Sequence, residues 1–451
     1  MRVAVVGAGI AGLACAHALR EAGIEVVVWE TGDRVGGKLR LEEVGGLVLD
    51  QGAESMLARR TEGLELVECL GLGGRVVHPE PAPATLWTRG ALRPMPPTVM
   101  GIPSDLEALE ASGVLEGTVE RRDVPVPEDD VSVADFVTQR AGREVVDRLV
   151  EPLLGGVYAG HADRLSLKAT APMIGALGSD PIGAAIERRA GQLAAGPAAP
   201  VLVGLDGGMG NLPKALARDL DIRLNSTVRG VRRENDGGWT LVVGPTTRAV
   251  RERCDALVLA VPAPAASRLL GDIAPAASFA LAGIDYASMA LVTLVLDGAE
   301  LPEGSGFLVP PVDGRSIKAA TFATNKWAWL AREAGGASVV RASLGRAGDA
   351  TALQRSDEEL VGLALSDLGS ALAGAGTLGT VTASRVQRWG GGLPQYDIGH
   401  QDLVARIKAD IASVPGLAVC GAAYDGVGIP AVIASARQAA RAITTEGTMD
   451  I

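Results

Sequence analysis

The first forty residues restrict the fold more than any other part of the chain. Arg2 to Val6 is a short valine-rich run suited to a buried parallel strand. Gly7-Ala8-Gly9-Ile10-Ala11-Gly12 follows directly. Leu13 to Ala22, rich in alanine and leucine, predicts a helix closed by Gly23, and Ile24 to Trp29 predicts a second buried strand with Glu30 at its end. This is one βαβ unit. Gly7 permits the tight turn off the strand, Gly9 lets the backbone approach a pyrophosphate where a Cβ would clash, and Gly12 lets helix and strand pack closely. The helix N-terminus offers free N–H groups and a partial positive charge to phosphates. Glu30 lies 18 positions after Gly12, near the roughly 20 at which an acid meets a ribose hydroxyl. A glycine-rich turn in an unrelated α/β protein would not need strand, helix and acid in this register, so the segment predicts a dinucleotide site.

The next segment repeats the glycine theme with charge. Arg34-Val35-Gly36-Gly37-Lys38-Leu39-Arg40 holds a glycine pair among three cations; a merely solvated basic turn would not need paired glycines. Leu47 to Leu49 predicts a short strand. Asp50-Gln51-Gly52-Ala53-Glu54-Ser55 then breaks into a loop whose small residues permit close approach of a flat ring. Arg59 and Arg60 follow, either pointing into the same cleft or opening a helix as solvated cations.

Composition bounds the rest. The 451 residues allow two or three lobes, 47% are hydrophobic, and only 3% are aromatic, so the core is aliphatic. A formal net charge of −11 argues against general nucleic-acid binding. Cys15, Cys69, Cys254 and Cys420 are far apart and form no CxxC, and the four histidines are equally scattered. No metal site or disulfide framework is expected, and His17 reads as structural. No signal peptide and no transmembrane helix are expected, which points to a cytoplasmic protein and leaves peripheral membrane contact open.

Along the chain, Leu64 to Leu72 predicts a helix and Trp87-Thr88-Arg89-Gly90 a hairpin tip. Pro125 to Asp130 reads as a linker, and Ser132 starts a helix through Arg148 with Asp135 at the capping-box position. Glu151 to Gly160 reads as a helix stop followed by a tight glycine turn, and residues 170 to 200 as helix and linker. Leu212 to Leu220 predicts a helix, Ile222 to Val228 a strand, Val231 to Val243 a hairpin, and Ala256 to Val261 a buried strand. Residues 266 to 385 alternate strands with a helix at 356–373. Within them, Phe307, Lys318, Phe322, Lys326 and Trp327 cluster; a sheet facing a planar, anionic substrate would look like this, and so would an ordinary half-exposed sheet. Leu417 to Gly421 predicts a last strand, then a loop to Ile429-Pro430, then a helix from Ala431 to Arg441.

Several of these segments resemble known motifs. Arg34-Val35-Gly36-Gly37 and the Asp50 to Ser55 loop resemble the FAD-binding amine-oxidase-like superfamily, as does the Leu205-Asp206-Gly207-Gly208-Met209-Gly210 return. Glu151-Pro152-Leu153-Leu154-Gly155-Gly156-Val157-Tyr158-Ala159-Gly160, Asp163 to Leu167, and Leu393-Pro394-Gln395-Tyr396 with Gly399-His400 resemble its porphyrinogen oxidase branch. The charged stretch 103–130, with five charges between Glu116 and Asp123, is more similar to the soluble Gram-positive-type members, which oxidise coproporphyrinogen III, than to membrane-attached relatives.

The resemblance implies an α/β (α+β) fold with a discontinuous Rossmann-like FAD-binding lobe at 1–80, 201–265 and 386–451. A mixed-sheet substrate lobe is implied at 81–102 and 266–385, and a helical lobe at 103–200. It places FAD against Gly7, Ala8, Gly9, Ile10, Ala11, Gly12, Glu30, Arg34, Gly37, Lys38, Gly52, Ala53, Glu54, Ser55, Val228, Trp389, Gly421, Val427, Gly428 and Ile429. Val228 would meet the adenine through its backbone, and the helix N-terminus at Ile429 would face the flavin's pyrimidine edge. Arg59, Arg60, Lys318, Lys326 and Trp327 are the substrate candidates. The implied reaction is the six-electron oxidation of coproporphyrinogen III, with oxygen as acceptor and hydrogen peroxide released, followed by handover to a haem-pathway chelatase. No catalytic residue is nominated. Protoporphyrinogen IX is the alternative substrate; an amine oxidase and a non-enzymatic flavoprotein are more distant readings.

Overall fold

A computed structural model describes residues 1–81, 83–195 and 200–448. Parts of the expected 81–102, 170–200 and 386–451 segments, at 82, 196–199 and 449–451, lie outside the described residues.

A five-stranded parallel sheet carries the glycine loop. Its strands lie in the order Asp221–Arg223, Glu25–Trp29, Arg2–Val6, Ala256–Leu259, Leu417–Val419. The three central strands are almost wholly buried, which is why they read as unbroken apolar runs. Helices Ile10–Glu21 and Ile429–Thr448 pack together, sharing one core through Leu13, Cys15, Ile433 and Ala436. Cys15 and Cys420, distant in sequence, are both buried in this core, and the neighbourhood of Cys420 with burial raises the Cys15 thiol well above its ordinary value.

Gly12 has a steric duty here. A Cβ at position 12 would sit 1.8 Å from the Gly7 carbonyl oxygen, and one at Gly7 (φ +107°) 2.5 Å from the Ala260 oxygen. Gly12→Val is therefore expected to destabilise the fold by about 3 kcal/mol or more. Thermal unfolding of flavin-free protein checks this, and an unchanged midpoint would refute the packing role.

The second sheet has seven strands: Thr380–Pro394, Tyr286–Asp297, Ser338–Leu344, Ile317–Phe322, Gly306–Leu308, Thr85–Thr88 and Ala91–Pro94. It is mixed, because Gly306–Leu308 runs parallel to Thr85–Thr88 while the other neighbours are antiparallel. Helix Asp357–Leu372 packs on it, started by a capping box between Ser356 and Glu359. The strand Thr380–Pro394 runs through position 386, so the expected lobe boundary there falls inside a strand rather than at a linker. A third core, around Phe136, Leu149, Leu154 and Ile174, holds the helices between 106 and 194 together.

Four expectations need correction. Glu151 to Gly160 is not a helix stop: a π-helical turn at Val146–Val150 leads into helix Glu151–Tyr158, which runs through both glycines and ends at Ala159, φ +50°. Glycine costs roughly 1 kcal/mol in a helix, and at Gly155 it admits close packing, since a Cβ there would lie 3.0 Å from Arg346 Nη1. The helix from Ser132 breaks at Gly142, φ +88°. The strand expected at Ile222–Val228 is two, Asp221–Arg223 and Val228–Arg233, separated by a turn with Asn225 at φ +53°. The helix expected at Leu64–Leu72 spans Thr61–Cys69. No helix among the described residues is long and apolar enough to cross a membrane.

Candidate active site

The carboxyl ends of the parallel strands gather the first half of the site. Gly9 caps helix Ile10–Glu21 in extended conformation, and no described protein atom lies within 4 Å of where its Cβ would be. The second glycine turn stacks on the first: Gly36 N–H donates to the Ala8 carbonyl at 2.8 Å, and Gly37, φ +55°, would carry its Cβ 3.2 Å from Gly9 Cα. The result is a backbone-lined cradle with unpaired helix N–H groups at its floor.

Glu30 is fixed at its edge. One carboxylate oxygen accepts from Ala8 N–H and the other from Gly32 N–H, both at 2.7 Å. A carboxylate has about four acceptor positions, so two remain for ribose hydroxyls. Arg34 donates to the Val35 and Gly37 carbonyls and stiffens its own turn. Protein packed around Lys38 pulls its ammonium down to about 8, although the residue as a whole is exposed. Val228 packs with Val6 and Trp29 beside the same strand ends.

The Asp50 to Ser55 loop forms the second half. Gly52 nests against the first cradle, because a Cβ there would be 1.9 Å from the Lys38 oxygen. Trp389, half-buried on the long strand of the seven-stranded sheet, donates its indole N–H to the Gln51 carbonyl at 2.8 Å. Asp50 accepts from Met209 and Gly210 N–H groups at 2.8 and 3.1 Å; burial lifts its carboxyl to about 6. Ala53 is exposed and Ser55 half-exposed at the loop's end.

Glu54 does not point to a ligand. Its carboxylate is buried in an ion triad with Lys326, at 2.5 Å, and Arg341, which also donates to the Gly52 carbonyl at 2.6 Å. Burial opposes ionisation of Glu54, and the two cations overcome it, holding the carboxyl at about 2.

The C-terminal segment closes the far side. Gly421, φ +132°, follows the last strand and lies over Ala11 of the first helix. No described atom lies within 4 Å of a Cβ on Gly428, directly before helix Ile429–Thr448. Tyr396 stacks on His400 at 3.9 Å, donates its hydroxyl to the Ala422 carbonyl and accepts from Gly426 N–H at 2.9 Å, while Gln395 donates to the Tyr158 carbonyl at 2.8 Å. These two residues tie helix Glu151–Tyr158 to the loop before the last helix. Val427 packs against the helical core at this junction.

The expected substrate residues scatter. Lys326 is spent on Glu54. Trp327 is a core residue, 3% exposed, packed with Trp329 and Leu330. Phe307 and Phe322 are buried too, so the aromatic cluster fills cores and presents no face to a ligand. Arg60 pairs with Glu62 at 2.6 Å, and Arg59 is exposed with Nη1 3.0 Å from Met173 Sδ. Lys318 is buried with no hydrogen-bond partner for its ammonium among the described residues. The sequence reading passed over Arg341, Arg346 and the anchoring role of Asp50. Only the buried charge of Arg341, on an apolar strand, could have signalled its part.

A glycine-lined cradle at the ends of a parallel sheet, a fixed acid at its edge and a helix N-terminus closing over it define a flavoprotein oxidoreductase, and these residues fit FAD. The family model "Flavin containing amine oxidoreductase" matches residues 10–444, and the chain belongs to that family. It is 38% identical over 460 residues to the coproporphyrinogen III oxidase of Mycobacterium leprae, covering 98% of each chain, and 29% identical over 473 residues to that of Bacillus subtilis, covering 95% of this chain and 94% of the other. A solved structure of a candidate protoporphyrinogen oxidase from Exiguobacterium sp. 255-15 superposes with a TM-score of 0.86 at 30% identity, covering 99% of both chains.

Proposed function

We propose that this protein oxidises coproporphyrinogen III to coproporphyrin III in haem biosynthesis, using FAD and oxygen and releasing hydrogen peroxide. The observation that carries this reading is the likeness over 98% of both chains to an enzyme of that name. It is supported by Gln395 and Tyr396, which join the Glu151–Tyr158 helix to the loop beside the flavin site. In this reading residues 1–80, 201–265 and 386–451 serve the cofactor, 81–102 and 266–385 the substrate, and 103–200 form the helical wall. The protein acts in the cytoplasm, touches membranes at most peripherally, and passes its product to a chelatase.

Bound FAD supplies a two-electron acceptor for each of three successive oxidations. The chain's contribution is positional. Gly9 and Gly37 would admit the pyrophosphate, Glu30 would hold the ribose, and the N-terminus of helix Ile429–Thr448 would favour negative charge on the reduced flavin. The triad of Glu54, Lys326 and Arg341 holds the Gly52 loop still. The pyrrole N–H becomes acidic once the neighbouring carbon gains cationic character, so the chain need not supply a strong base.

Protoporphyrinogen IX is the second reading, favoured by the likeness to the Exiguobacterium protein. Mixing purified holoprotein with each porphyrinogen in air, while following porphyrin fluorescence and peroxide, separates the two. Faster oxidation of coproporphyrinogen III than in the flavin-free control is expected. A preference for protoporphyrinogen IX moves the assignment to the second reading, and no acceleration with either refutes both.

A further inference from the structure

Two basic side chains with unpaired buried nitrogens lie behind the Glu151–Tyr158 helix. Lys318 lies on strand Ile317–Phe322 and is 3% exposed; its Nζ has no hydrogen-bond partner among the described residues. Arg346, just past strand Ser338–Leu344, donates through Nη2 to the Val309 carbonyl at 3.1 Å, while its buried Nη1 is also without a partner. Burial, and then the charge of Arg346, push the Lys318 ammonium down to about 7.

The neighbouring acids do not resolve this. Glu151 and Asp349 act on Arg346 at a distance. The Glu151 carboxylate is already taken, accepting from Ala162 N–H at 2.6 Å and bonded to His161 Nδ1 at 3.0 Å. Folded proteins rarely leave buried charged donors unmade, and two adjacent like charges compound the penalty.

The helix in front of the pair carries two adjacent glycines, the first buried and the second exposed. Gly155 meets Arg346 Nη1, where a Cβ would lie 3.0 Å away, and the exposed Gly156 lies opposite Leu308, whose Cδ2 is 3.9 Å from its Cβ position. Two missing side chains thus thin the wall between the pair and the surface. The same helix is bonded through Gln395 to the segment whose Tyr396 holds the loop at Ala422 and Gly426.

We infer that Lys318 and Arg346 form a carboxylate seat that receives one acidic arm of the substrate across the glycine face of helix Glu151–Tyr158. The inference rests on the proposed porphyrinogen substrate and deepens it. A seat of this kind counts carboxylates: a macrocycle with four propionates offers an arm to it in more orientations than one with two. Arg346 and Lys318 are binding residues here, with no part in the electron transfer.

The test uses the holoenzyme and three variants, Lys318→Met, Lys318→Arg and Arg346→Met. KM and kcat are measured for coproporphyrinogen III, and binding of coproporphyrin III and of its tetramethyl ester is titrated by fluorescence. Lys318→Met is expected to weaken coproporphyrin III binding and raise KM about 10- to 100-fold, with kcat nearly unchanged, because one charge-assisted contact is lost. Lys318→Arg should restore most of the affinity, and the ester should bind wild type and Lys318→Met alike. Removing an uncompensated buried charge should leave the unfolding temperature of Lys318→Met equal to or above wild type. Wild-type affinity in both methionine variants overturns the seat while leaving the oxidase reading intact. Failure of the wild type to bind or oxidise the tetracarboxylate overturns the substrate reading and the seat's assigned ligand together. If Lys318→Met does not fold, Arg346→Met and the ester comparison decide alone.

Discussion

Replacing Glu54 with glutamine is expected to destabilise the protein by about 3–5 kcal/mol, since it leaves Lys326 and Arg341 buried without their anion. It should also loosen flavin binding, because Arg341 bonds both Glu54 and the Gly52 carbonyl and so ties the Asp50 to Ser55 loop to the seven-stranded sheet. The same triad predicts an acid limb. Glu54 is held at about 2, against roughly 4.3 in an unfolded chain. A depressed folded value means the stabilisation is fully present above the unfolded value and is lost as pH falls toward 2; its size is about 3 kcal/mol. Urea midpoints at pH 7 and at pH 3 measure both effects. In Glu54→Gln this component of the acid loss should vanish. Wild-type stability and full flavin content in the variant would show that the triad holds nothing together.

The second large effect separates cofactor binding from folding. Gly9→Val places a side chain in space no described protein atom occupies, at a backbone conformation (φ −73°, ψ 177°) open to any residue. The flavin-free protein should therefore fold with its normal unfolding temperature. Flavin affinity should fall about 10- to 100-fold, the usual scale of forcing atoms into a filled site. The contrast with Gly12→Val, three residues away, is the sharp part: one variant loses flavin, the other loses the fold. Absorbance at the flavin bands after gel filtration, beside thermal melts, reads both. A Gly9→Val protein that retains full flavin would place the pyrophosphate elsewhere.

The parts legible from sequence are those where a residue answers a local backbone demand. Gly12 must clear the Gly7 carbonyl five positions back, Gly7 itself turns at φ +107°, and Ser356 with Glu359 caps its own helix. The hairpin tip at Arg89-Gly90 follows the same logic, with both residues at positive φ between paired strands. Illegible parts depend on partners brought from far along the chain. Lys326 and Trp327 looked like substrate residues because a cation beside an aromatic in an aromatic-poor chain invites that reading. Their actual neighbours, Glu54 and the core around Leu330, lie partly some 270 positions away. Gly155 and Gly156 looked like a turn because glycine usually breaks helices; they lie instead inside helix Glu151–Tyr158, where Gly155 packs against Arg346, nearly two hundred residues on. Motif wording pointed to Gln395 and Tyr396, but only the hydrogen bonds disclose that they act as a strap.

The strand order of the five-stranded sheet bears on how the protein comes into being. Arg2–Val6 is made first, yet it pairs with Ala256–Leu259, which in turn pairs with Leu417–Val419. At about 5–20 residues per second, roughly twenty seconds or more separate synthesis of the first strand from that of the last. Throughout that interval the glycine cradle lacks the helix that closes over it. Completion of the cradle is thus a late event, and the early valine-rich strands wait with an exposed edge for partners still to be translated.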